Sequence, residues 1–334
     1  MKTKFNFKHV TLCLVLSVVS ACATGGGSRG ERALTGMIPT TNIYQASIFS
    51  PDGKQAISYY DSSDFKLWDV ASGRVIRTFK AGHPNFIYVA RFTPDGKQII
   101  SGSTEGGVWL WDIVSGSVIR TFEEEHTGYV QSVCLNPNGK QALSCSEDGT
   151  IKLWDVTTGR EIKTFGNEDP VYSVCFSPNG KQFLSGSADD TMKLWEIVTG
   201  RVIRTFKGHK DWVRSVCFSP DGKQALSGSE DETIILWDIA TGRVIRTFVG
   251  HEDGVQSVCF SSDGKQVLSG SWDKTVRLWN IATGREIRTF KGDEVINTVC
   301  FNPDGKQVLS INEGAEIMTL WDITTGRKIR TFLR

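Results

Sequence analysis

Serine, histidine and aspartate recur together along the chain at a fixed spacing, and they are the residue types of a hydrolytic triad. In such a triad the histidine activates a serine nucleophile and the aspartate orients the histidine. Three complete sets occur, each ending in a tryptophan: His126, Ser144, Asp148 and Trp154; His209, Ser227, Asp231 and Trp237; His251, Ser269, Asp273 and Trp279. An enzyme needs a catalytic set only once. The repetition therefore favours a structural hydrogen-bonded network and predicts that the protein is not an enzyme.

Cysteines form a second repeated set, at one position in five consecutive units: Cys134, Cys175, Cys217, Cys259 and Cys300. Equivalent positions on stacked sheets lie about 10 Å apart, beyond the Cα separation of about 7 Å that a disulfide allows. The side chains also point separately, whereas metal ligands converge. We therefore predict unpaired, buried thiols, no metal site and no cofactor.

The elements that carry these residues repeat seven times. Tryptophans recur with spacings of 43, 43, 41, 42, 42 and 42 residues, at Trp68, Trp111, Trp154, Trp195, Trp237, Trp279 and Trp321. Within each unit, four short apolar or alternating runs are separated by turn sequences such as Pro220, Asp221 and Gly222. Each unit predicts a four-stranded antiparallel sheet that is apolar on both faces and has to stack on its neighbours. Radial stacking of seven such sheets predicts an all-β, seven-bladed β-propeller over residues 43–334.

The same residues also resemble the pattern of a known repeat family. Glycine and histidine before the first strand, serine in the second, aspartate before the third and Trp-Asp at its end resemble the WD-repeat family over essentially the whole mature chain. The resemblance implies that the histidine, serine, aspartate and tryptophan tie the strands of each blade together. Other units depart from this pattern. The second unit has His83 and Ser101 with Glu105 in place of the aspartate, and the fourth has Ser185 and Asp189 with Asn167 in place of the histidine. At the histidine and aspartate positions the first unit has Thr40 and Ser62, and the seventh has Gly292 and Ala315. We expect both end blades to lack the network.

Closure of the ring is a separate question, because many members of the family complete the last blade with a strand from the N-terminus. Here the seventh unit runs through its own fourth strand, from Arg327 to Phe332. All seven blades are therefore encoded in order. We predict that the first blade packs on the seventh without strand exchange, and that this seam is the least stable part of the ring.

The N-terminus has the features of a targeting segment. Lysines precede the apolar run 10–19 and small residues follow it, which is the layout of a secretory signal peptide. The run ends in Val-Ser-Ala-Cys, which resembles the lipobox of bacterial lipoproteins and implies cleavage before Cys22 and lipidation of its sulfur. An ordinary signal peptide with a chance cysteine is the alternative. The prediction is a signal peptide over 1–21 and a lipidated, glycine-rich tether over 22–42.

Lipid anchoring places the protein in the bacterial cell envelope. In a Gram-negative cell, Ala23 after the lipidated cysteine favours the outer membrane facing the periplasm, because the family uses aspartate there for inner-membrane retention. Two acyl chains anchor a protein firmly where one chain does not. The net charge of +1 lacks the basic excess typical of nucleic-acid binding, so no nucleic-acid partner is expected.

The fourth strands place basic side chains around the rim of the ring: Arg74, Arg77, Arg120, Arg160, Lys163, Arg201, Arg204, Arg243, Arg246, Arg285, Arg288, Arg327 and Arg330. The outermost strand of each blade is an open sheet edge, and cations there deter edge-to-edge aggregation. We interpret the rim cations as edge protection. Contact with lipid phosphate or lipopolysaccharide is the alternative.

Positions that differ between the units are better candidates for function, because folding does not require them. Three such positions fall on one face of the ring: the third residue after the histidine position, the residue two further on, and the residue before the network aspartate. They predict a partner-binding surface formed by Phe86, Tyr88, Tyr129, Gln131, Tyr172, Trp212, Arg214, Gln256, Glu230 and Trp272. Aromatic residues and arginine are the types enriched at protein-binding hot spots. Scattered surface aromatics without a partner are the alternative.

The sequence thus predicts a membrane-anchored, non-enzymatic scaffold that binds an envelope protein or peptide. A glycan- or small-ligand-binding propeller that uses the channel mouth is the second hypothesis, since aromatic rings can stack on such ligands. An enzyme is the third, and no nucleotide loop, metal motif or single acid–base pair supports it.

Overall fold

The computed structural model describes residues 48–59, 64–80, 86–123, 125–312 and 317–333. These residues form twenty-eight β-strands, and there is no helix among them. Several predictions lie outside the described residues: the signal peptide over 1–21, Cys22, the tether over 22–42, Thr40, Ser62, His83 and Ala315.

The strands of the first four blades follow in chain order. Blade 1 contains β1 (Ile48–Phe49), β2 (Gln55–Tyr59), β3 (Asp64–Asp69) and β4 (Val75–Lys80). Blade 2 contains β5 (Ile87–Phe92), β6 (Gln98–Ser103), β7 (Val108–Asp112) and β8 (Val118–Thr121). Blade 3 contains β9 (Val130–Leu135), β10 (Gln141–Ser146), β11 (Thr150–Asp155) and β12 (Glu161–Gly166). Blade 4 contains β13 (Val171–Phe176), β14 (Gln182–Ser187), β15 (Thr191–Glu196) and β16 (Val202–Lys207).

Three further blades complete the ring. Blade 5 contains β17 (Val213–Phe218), β18 (Gln224–Ser229), β19 (Ile234–Asp238) and β20 (Val244–Phe248). Blade 6 contains β21 (Val255–Phe260), β22 (Gln266–Ser271), β23 (Thr275–Asn280) and β24 (Glu286–Lys291). Blade 7 contains β25 (Ile296–Phe301), β26 (Gln307–Asn312), β27 (Ile317–Asp322) and β28 (Lys328–Leu333).

Each blade is a sheet of four consecutive strands in sequence order, paired antiparallel. The predicted all-β, seven-bladed β-propeller is confirmed. Among the described residues, each of the seven sheets consists only of its own four consecutive strands, so closure without strand exchange is confirmed as well. The antiparallel order places the connections between blades and the turns between second and third strands on one side of the ring, which we call the loop face.

Tight turns on the opposite face hold the strands in register. After β17, the Ser219 hydroxyl donates to Asp221 Oδ1 at 2.6 Å, and Gly222 adopts a φ of 70°. Glycine accepts this left-handed conformation without strain, which is why the turn sequence ends in glycine. The same side-chain bond from serine or threonine to aspartate forms in blades 1, 2 and 6.

The core consists of seven apolar clusters, one between each pair of neighbouring blades. In every cluster a phenylalanine from the fourth strand packs on the tryptophan of the next blade. Their ring centroids are 5.5 Å apart for Phe206 and Trp237 and 5.7 Å apart for Phe332 and Trp68. The second pair joins blade 7 to blade 1, so the seam uses the same contact as the other interfaces.

Basic side chains of the fourth strands form a second repeated link between blades. Arg204 Nη1 and Nη2 donate to the carbonyls of Thr241 and Ala240 in the next blade, at 3.1 and 2.9 Å. Equivalent bonds from one blade to the next are made by Arg77, Arg120, Lys163, Arg246, Arg288 and Arg330. Arg330 reaches from blade 7 to the Ala71 carbonyl of blade 1, at 2.9 Å. We call these seven contacts the clasps.

A glycine in the receiving turn makes room for each clasp. Gly242 has a φ of 74°, and a Cβ added to it would lie 2.6 Å from Arg204 Cδ. This corrects our interpretation of the rim cations, because seven of the thirteen bind the neighbouring blade instead of only guarding a sheet edge. The sequence could not separate the two roles, since the acceptors are main-chain carbonyls with no residue signature.

Candidate functional site

The histidine sets of blades 3, 5 and 6 form compact hydrogen-bonded groups under the loop face. In blade 5, His209 Nε2 lies 2.7 Å from Ser227 Oγ, which also accepts a bond from Trp237 Nε1 at 2.8 Å. His209 Nδ1 lies 2.9 Å from Asp231 Oδ2. The groups around His126 and His251 have the same arrangement.

The aspartate of each group also fixes the loop that follows the histidine. Asp231 Oδ2 accepts from the Lys210 backbone N–H at 2.9 Å, and Asp231 Oδ1 accepts from the Thr233 hydroxyl at 2.6 Å. Burial by itself raises the pKa of Asp231, but the bonds from His209 and Thr233 outweigh it and hold the pKa well below its usual range. Asp148 and Asp273 are held in the same way. The network therefore positions the loops that carry the candidate binding residues.

Blade 4 replaces the histidine with a different bridge. Asn167 Oδ1 accepts from Lys193 Nζ at 2.9 Å, and Lys193 Nζ also lies 2.5 Å from Asp189 Oδ2. Asn167 Nδ2 donates to Ser187 Oγ at 2.8 Å. Lys193 thus links the connection that carries Asn167 to the turn that carries Asp189, as the histidine side chain does in blades 3, 5 and 6.

The end blades keep half of the network, so our expectation that they lack it was too broad. Trp68 Nε1 donates to Ser58 Oγ at 2.6 Å in blade 1, and Trp321 Nε1 donates to Ser310 Oγ at 2.8 Å in blade 7. The same tryptophan–serine bond occurs in every blade. Gly292 at the histidine position of blade 7 has no side chain to extend it.

The variable positions on the loop face are brought together within each blade. The Glu230 backbone N–H donates to the Trp212 carbonyl at 3.0 Å, which joins the inter-blade connection to the turn before the third strand. The same backbone bond links Phe86 to Thr104, Tyr129 to Glu147, Pro170 to Ala188 and Gly254 to Trp272. Two of the three variable positions are therefore neighbours in five blades.

The third variable position is the extra residue of a β-bulge. Strand pairing skips Arg214 between Val213 and Ser215, and the register shift recurs in the other blades from 2 to 7. A bulge changes the direction of the side chain of its extra residue. The residues at these bulges are Tyr88, Gln131, Tyr172, Arg214, Gln256 and Asn297.

A tight group of polar and aromatic side chains spans blades 4 and 5. The Arg214 guanidinium lies 4.2 Å from the ring centre of Tyr172 and 4.8 Å from that of Trp212. Arg214 Nε donates to Glu230 Oε1 at 2.6 Å. Burial raises the pKa of Tyr172 to about 12, against the effect of Arg214. The guanidinium is thus held by two aromatic faces and one carboxylate.

The neighbouring blades extend this group. Gln131 Nε2 donates to Glu147 Oε1 at 2.8 Å in blade 3, and the rings of Tyr88 and Tyr129 lie 6.1 Å apart. On the other side, Trp272 Nε1 donates to Asn297 Oδ1 at 3.2 Å.

Exposure divides the ten predicted binding residues into three sets. Phe86 and Tyr129 are 42% and 39% exposed. Trp212, Arg214, Glu230 and Trp272 are half-buried. Tyr88, Gln131, Tyr172 and Gln256 are buried. The buried residues form a floor under the exposed ones, a distinction that sequence reasoning missed because a bulge leaves no residue signature.

Gln256 differs from the other floor residues in its bonding. Its Nε2 is buried and has no hydrogen-bond partner within the described residues. The residue is only 6% exposed. A Cβ added to Gly254 would lie 3.0 Å from this nitrogen and 3.3 Å from Glu230 Cα, so the amide lies beside the Arg214–Glu230 pair. A buried donor without an acceptor is unfavourable by about 1–3 kcal/mol.

The loop face is strongly acidic, although the whole chain has a net charge of only +1. Exposed carboxylates in its connections are Glu105, Glu123, Glu125, Glu147, Glu168, Asp169, Asp211, Glu232, Glu252, Asp253, Asp293 and Glu294. Lys210 and Lys274 are the exposed basic residues of these described segments, and Lys80, Lys207 and Lys291 end the fourth strands beside them. Burial and then the carboxylates of Asp211, Asp189 and Asp231 raise the pKa of Asp190, which reflects this crowding of like charges.

The repeated cysteines carry free thiols as predicted, but the residues are half-buried and not fully buried. Burial raises the pKa of Cys300 to about 12. A cavity of about 260 Å³, lined by Arg91, Cys134 and Cys300 together with prolines of the tight turns, opens at the end of the channel away from the loop face. It is therefore separate from the candidate site.

The serines of the network are poorly placed for hydrolysis. Ser144, Ser227 and Ser269 are each 0% exposed, and a tryptophan N–H occupies each hydroxyl oxygen. Within the described residues, no group of three or more histidine, cysteine, aspartate and glutamate side chains is arranged around a metal position. The described part of the chain also contains no helix of the length and apolarity needed to cross a membrane.

Comparison with known proteins agrees with the architecture. The family model described as "WD domain, G-beta repeat" matches residues 73–112, 116–155, 159–196, 200–238, 242–280 and 284–312, which together exceed half of the chain. The first five matches run from the turn before a fourth strand to the end of the next blade's third strand, so the sequence repeat straddles two blades. No curated protein sequence matches the chain at a significant level. The chain belongs to the WD-repeat family of β-propellers.

Proposed function

We propose that the protein is a non-enzymatic scaffold that binds a partner protein on the loop face and is held in the bacterial cell envelope by a lipid on Cys22. The observation that carries the proposal is the exposure of aromatic side chains at positions where other blades have none. Phe86 and Tyr129 stand on connections fixed to the turns beside them. Rigid, exposed aromatics lose little entropy on binding and supply large contact areas.

The WD-repeat fold commonly mediates protein–protein interaction, and this supports the proposal at the level of fold alone. The buried residues below the aromatics add a second argument. Because Tyr172 and Arg214 pack against Trp212, its half-buried ring is held in one orientation before a partner arrives. Such preorganisation reduces the cost of association.

A glycan-binding role is the competing hypothesis for the same face. A sugar ring needs an open aromatic platform, but the guanidinium of Arg214 covers Tyr172 and Trp212 at 4.2 and 4.8 Å from their ring centres. Protein binding is therefore the function that the geometry supports best.

Proximity labelling in the native cell tests the proposal. The full chain, fused to a labelling enzyme, is compared with a variant carrying Phe86→Ala, Tyr129→Ala and Trp212→Ala. The matched control removes exposed aliphatic groups at the rim instead, with Ile76→Ala, Ile203→Ala and Ile245→Ala. We expect a defined protein neighbour that disappears only in the loop-face variant. An unchanged set of neighbours in both variants contradicts the proposal.

The anchor needs its own test, because Cys22 lies outside the described residues. Metabolic labelling with a palmitate analogue should mark the wild-type chain and leave Cys22→Ala unmarked and released from membranes. Labelling and membrane retention of Cys22→Ala would instead support an ordinary signal peptide and another mode of attachment.

A further inference from the structure

An arc of carboxylates crosses the loop face over blades 4 and 5. We define the acidic arc as Glu168, Asp169, Asp190, Asp211 and Glu232. None of these five forms an ion pair with a basic side chain of the described residues, and the connections that carry them contain one lysine, Lys210. Negative charge therefore exceeds positive charge on this part of the surface.

Some other acidic groups of the loop face are paired with basic side chains. Glu230 is paired with Arg214, and Asp189 with Lys193. On blades 6 and 7, Lys274 lies 3.7 Å from Glu294. The unpaired carboxylates of the arc lie on the connections and turns of blades 4 and 5, which also carry the half-buried ring of Trp212 and the Arg214–Glu230 pair.

The unpartnered amide of Gln256 supplies an independent indication of a ligand at this place. Its Nε2 is a buried donor near Glu230, which precedes Glu232 of the arc by two residues in the chain. A backbone carbonyl of an extended peptide is a suitable acceptor, because it brings no charge into an acidic surface. A donor for the main chain of a peptide therefore lies near the blade 5 end of the arc, whose carboxylates can receive cationic side chains.

We infer that the acidic arc and Gln256 dock a lysine- and arginine-rich segment of the partner protein. The inference rests on the proposed function and adds the chemistry of the partner. Opposite charge raises the association rate and rejects acidic competitors.

Fluorescence anisotropy with labelled peptides tests this inference on the purified full chain in detergent micelles. The probes are a peptide of about twelve residues alternating lysine and serine, and its glutamate–serine counterpart. We expect binding of the lysine peptide alone, weakened about tenfold between about 20 and about 200 mM NaCl because salt screens exposed charges. Equal affinity for the two peptides would overturn the inference.

Charge reversal locates the binding site. The variant Glu168→Lys, Asp211→Lys and Glu232→Lys should weaken binding of the lysine peptide at least about tenfold. Blade 6 already has Lys274 where blade 5 has Glu232, so this substitution suits the turn. The matched control places the same charge change on the opposite face, with Asp112→Lys, Glu196→Lys and Asp304→Lys. An equal loss of peptide binding in the control would mean that the peptide responds to the net charge of the protein and not to the arc. That result would contradict the inference.

Gln256→Met distinguishes docking from general electrostatics. Removing a buried, unpartnered donor should leave the melting temperature unchanged or higher, while peptide binding weakens about threefold to tenfold. Gln131→Met is the control, since Gln131 already donates to Glu147. Unchanged binding by Gln256→Met contradicts the role of the amide. If the aromatic variant loses its cellular neighbour but the charge-reversal variant keeps it, the proposed function stands and the cationic partner is excluded.

Discussion

Trp237 and Trp212 belong to the same blade, yet they lie in regions that follow different rules. Trp237 is 1% exposed, donates to Ser227 and packs on Phe206, and an equivalent set occurs in every blade. Trp212 is half-buried on the loop face, and the same position in other blades holds Phe86, Tyr129, Pro170 or Gly254. What every blade repeats maintains the ring. What differs between blades is available for binding.

We call the repeated contacts the frame: the tryptophan–serine bonds, the phenylalanine–tryptophan packing, the histidine–aspartate network of blades 3, 5 and 6, and the clasps. Each joins two strands or two blades by the same geometry. The loop face has no equivalent repetition, apart from the backbone bonds and bulges that orient its side chains. The frame thus sets where the variable residues stand without setting what they are.

The largest difference between the regions should appear in paired tryptophan substitutions. Trp237→Ala removes a fully buried side chain and leaves Ser227 without its donor, so the free energy of unfolding should fall by about 3–5 kcal/mol. Trp212→Ala should change it by less than about 1 kcal/mol. Urea denaturation followed by circular dichroism measures both. Similar losses in the two variants would show that the loop face is part of the frame.

Acid titration should separate aspartates of the two regions by the sign of their effect. The pKa of Asp231 is lowered in the folded state, so its contribution to stability is present above about pH 4 and is lost as the pH falls below that value. Asp231→Asn should therefore lower stability at pH 7 by about 1–3 kcal/mol and flatten the decline in acid.

Asp190 is the matched control, because its pKa is raised in the folded state. Its protonated form favours folding, and that benefit is lost as the pH rises through its unfolded value of about 4 toward the folded value. Asp190→Asn should therefore raise stability at pH 7. Melting temperatures between about pH 2 and 7 test both signs, and parallel curves for the two variants would contradict the distinction.

The sequence was sufficient to predict the seven blades but not the contacts that link one blade to the next. Seven tryptophans at nearly equal spacing predicted seven sheets, and the fourth strand ending at Phe332 predicted closure without exchange. The clasps were missed because Arg204 meets main-chain carbonyls, which every residue possesses. The burial of Tyr172 was missed because a bulge depends on strand pairing, not on residue type.

The seam tests whether the frame is equally strong around the ring. Arg330→Met removes the clasp from blade 7 to blade 1, and Arg204→Met removes the equivalent link between blades 4 and 5. Each should lower stability by about 0.5–1.5 kcal/mol, since these bonds are solvent-exposed. In hydrogen exchange we expect lower protection of blades 1 and 7 than of blades 4 and 5 in the wild type, and a further loss there only in Arg330→Met. Best protection at the seam would refute its predicted weakness.

The smallest effect concerns strain on the loop face. Glu232 has a φ of 70°, in the left-handed region, at the turn position where blade 3 has Gly149. A side chain there costs about 1 kcal/mol relative to glycine, so Glu232→Gly should raise the free energy of unfolding by about 0.5–1 kcal/mol. The reciprocal change Gly149→Glu should destabilise more, because a Cβ would lie 3.1 Å from the Glu168 carbonyl oxygen.

The outcome for Glu232→Gly bears directly on why the strained residue is present. If the acidic arc binds a cationic segment, the stabilised variant should also bind the lysine peptide more weakly, by about twofold to fivefold for one lost charge. Stability and binding would then change in opposite directions at a single turn position. A variant that gains stability with unchanged binding would show that Glu232 contributes to neither region, and the arc would have to be redrawn without it.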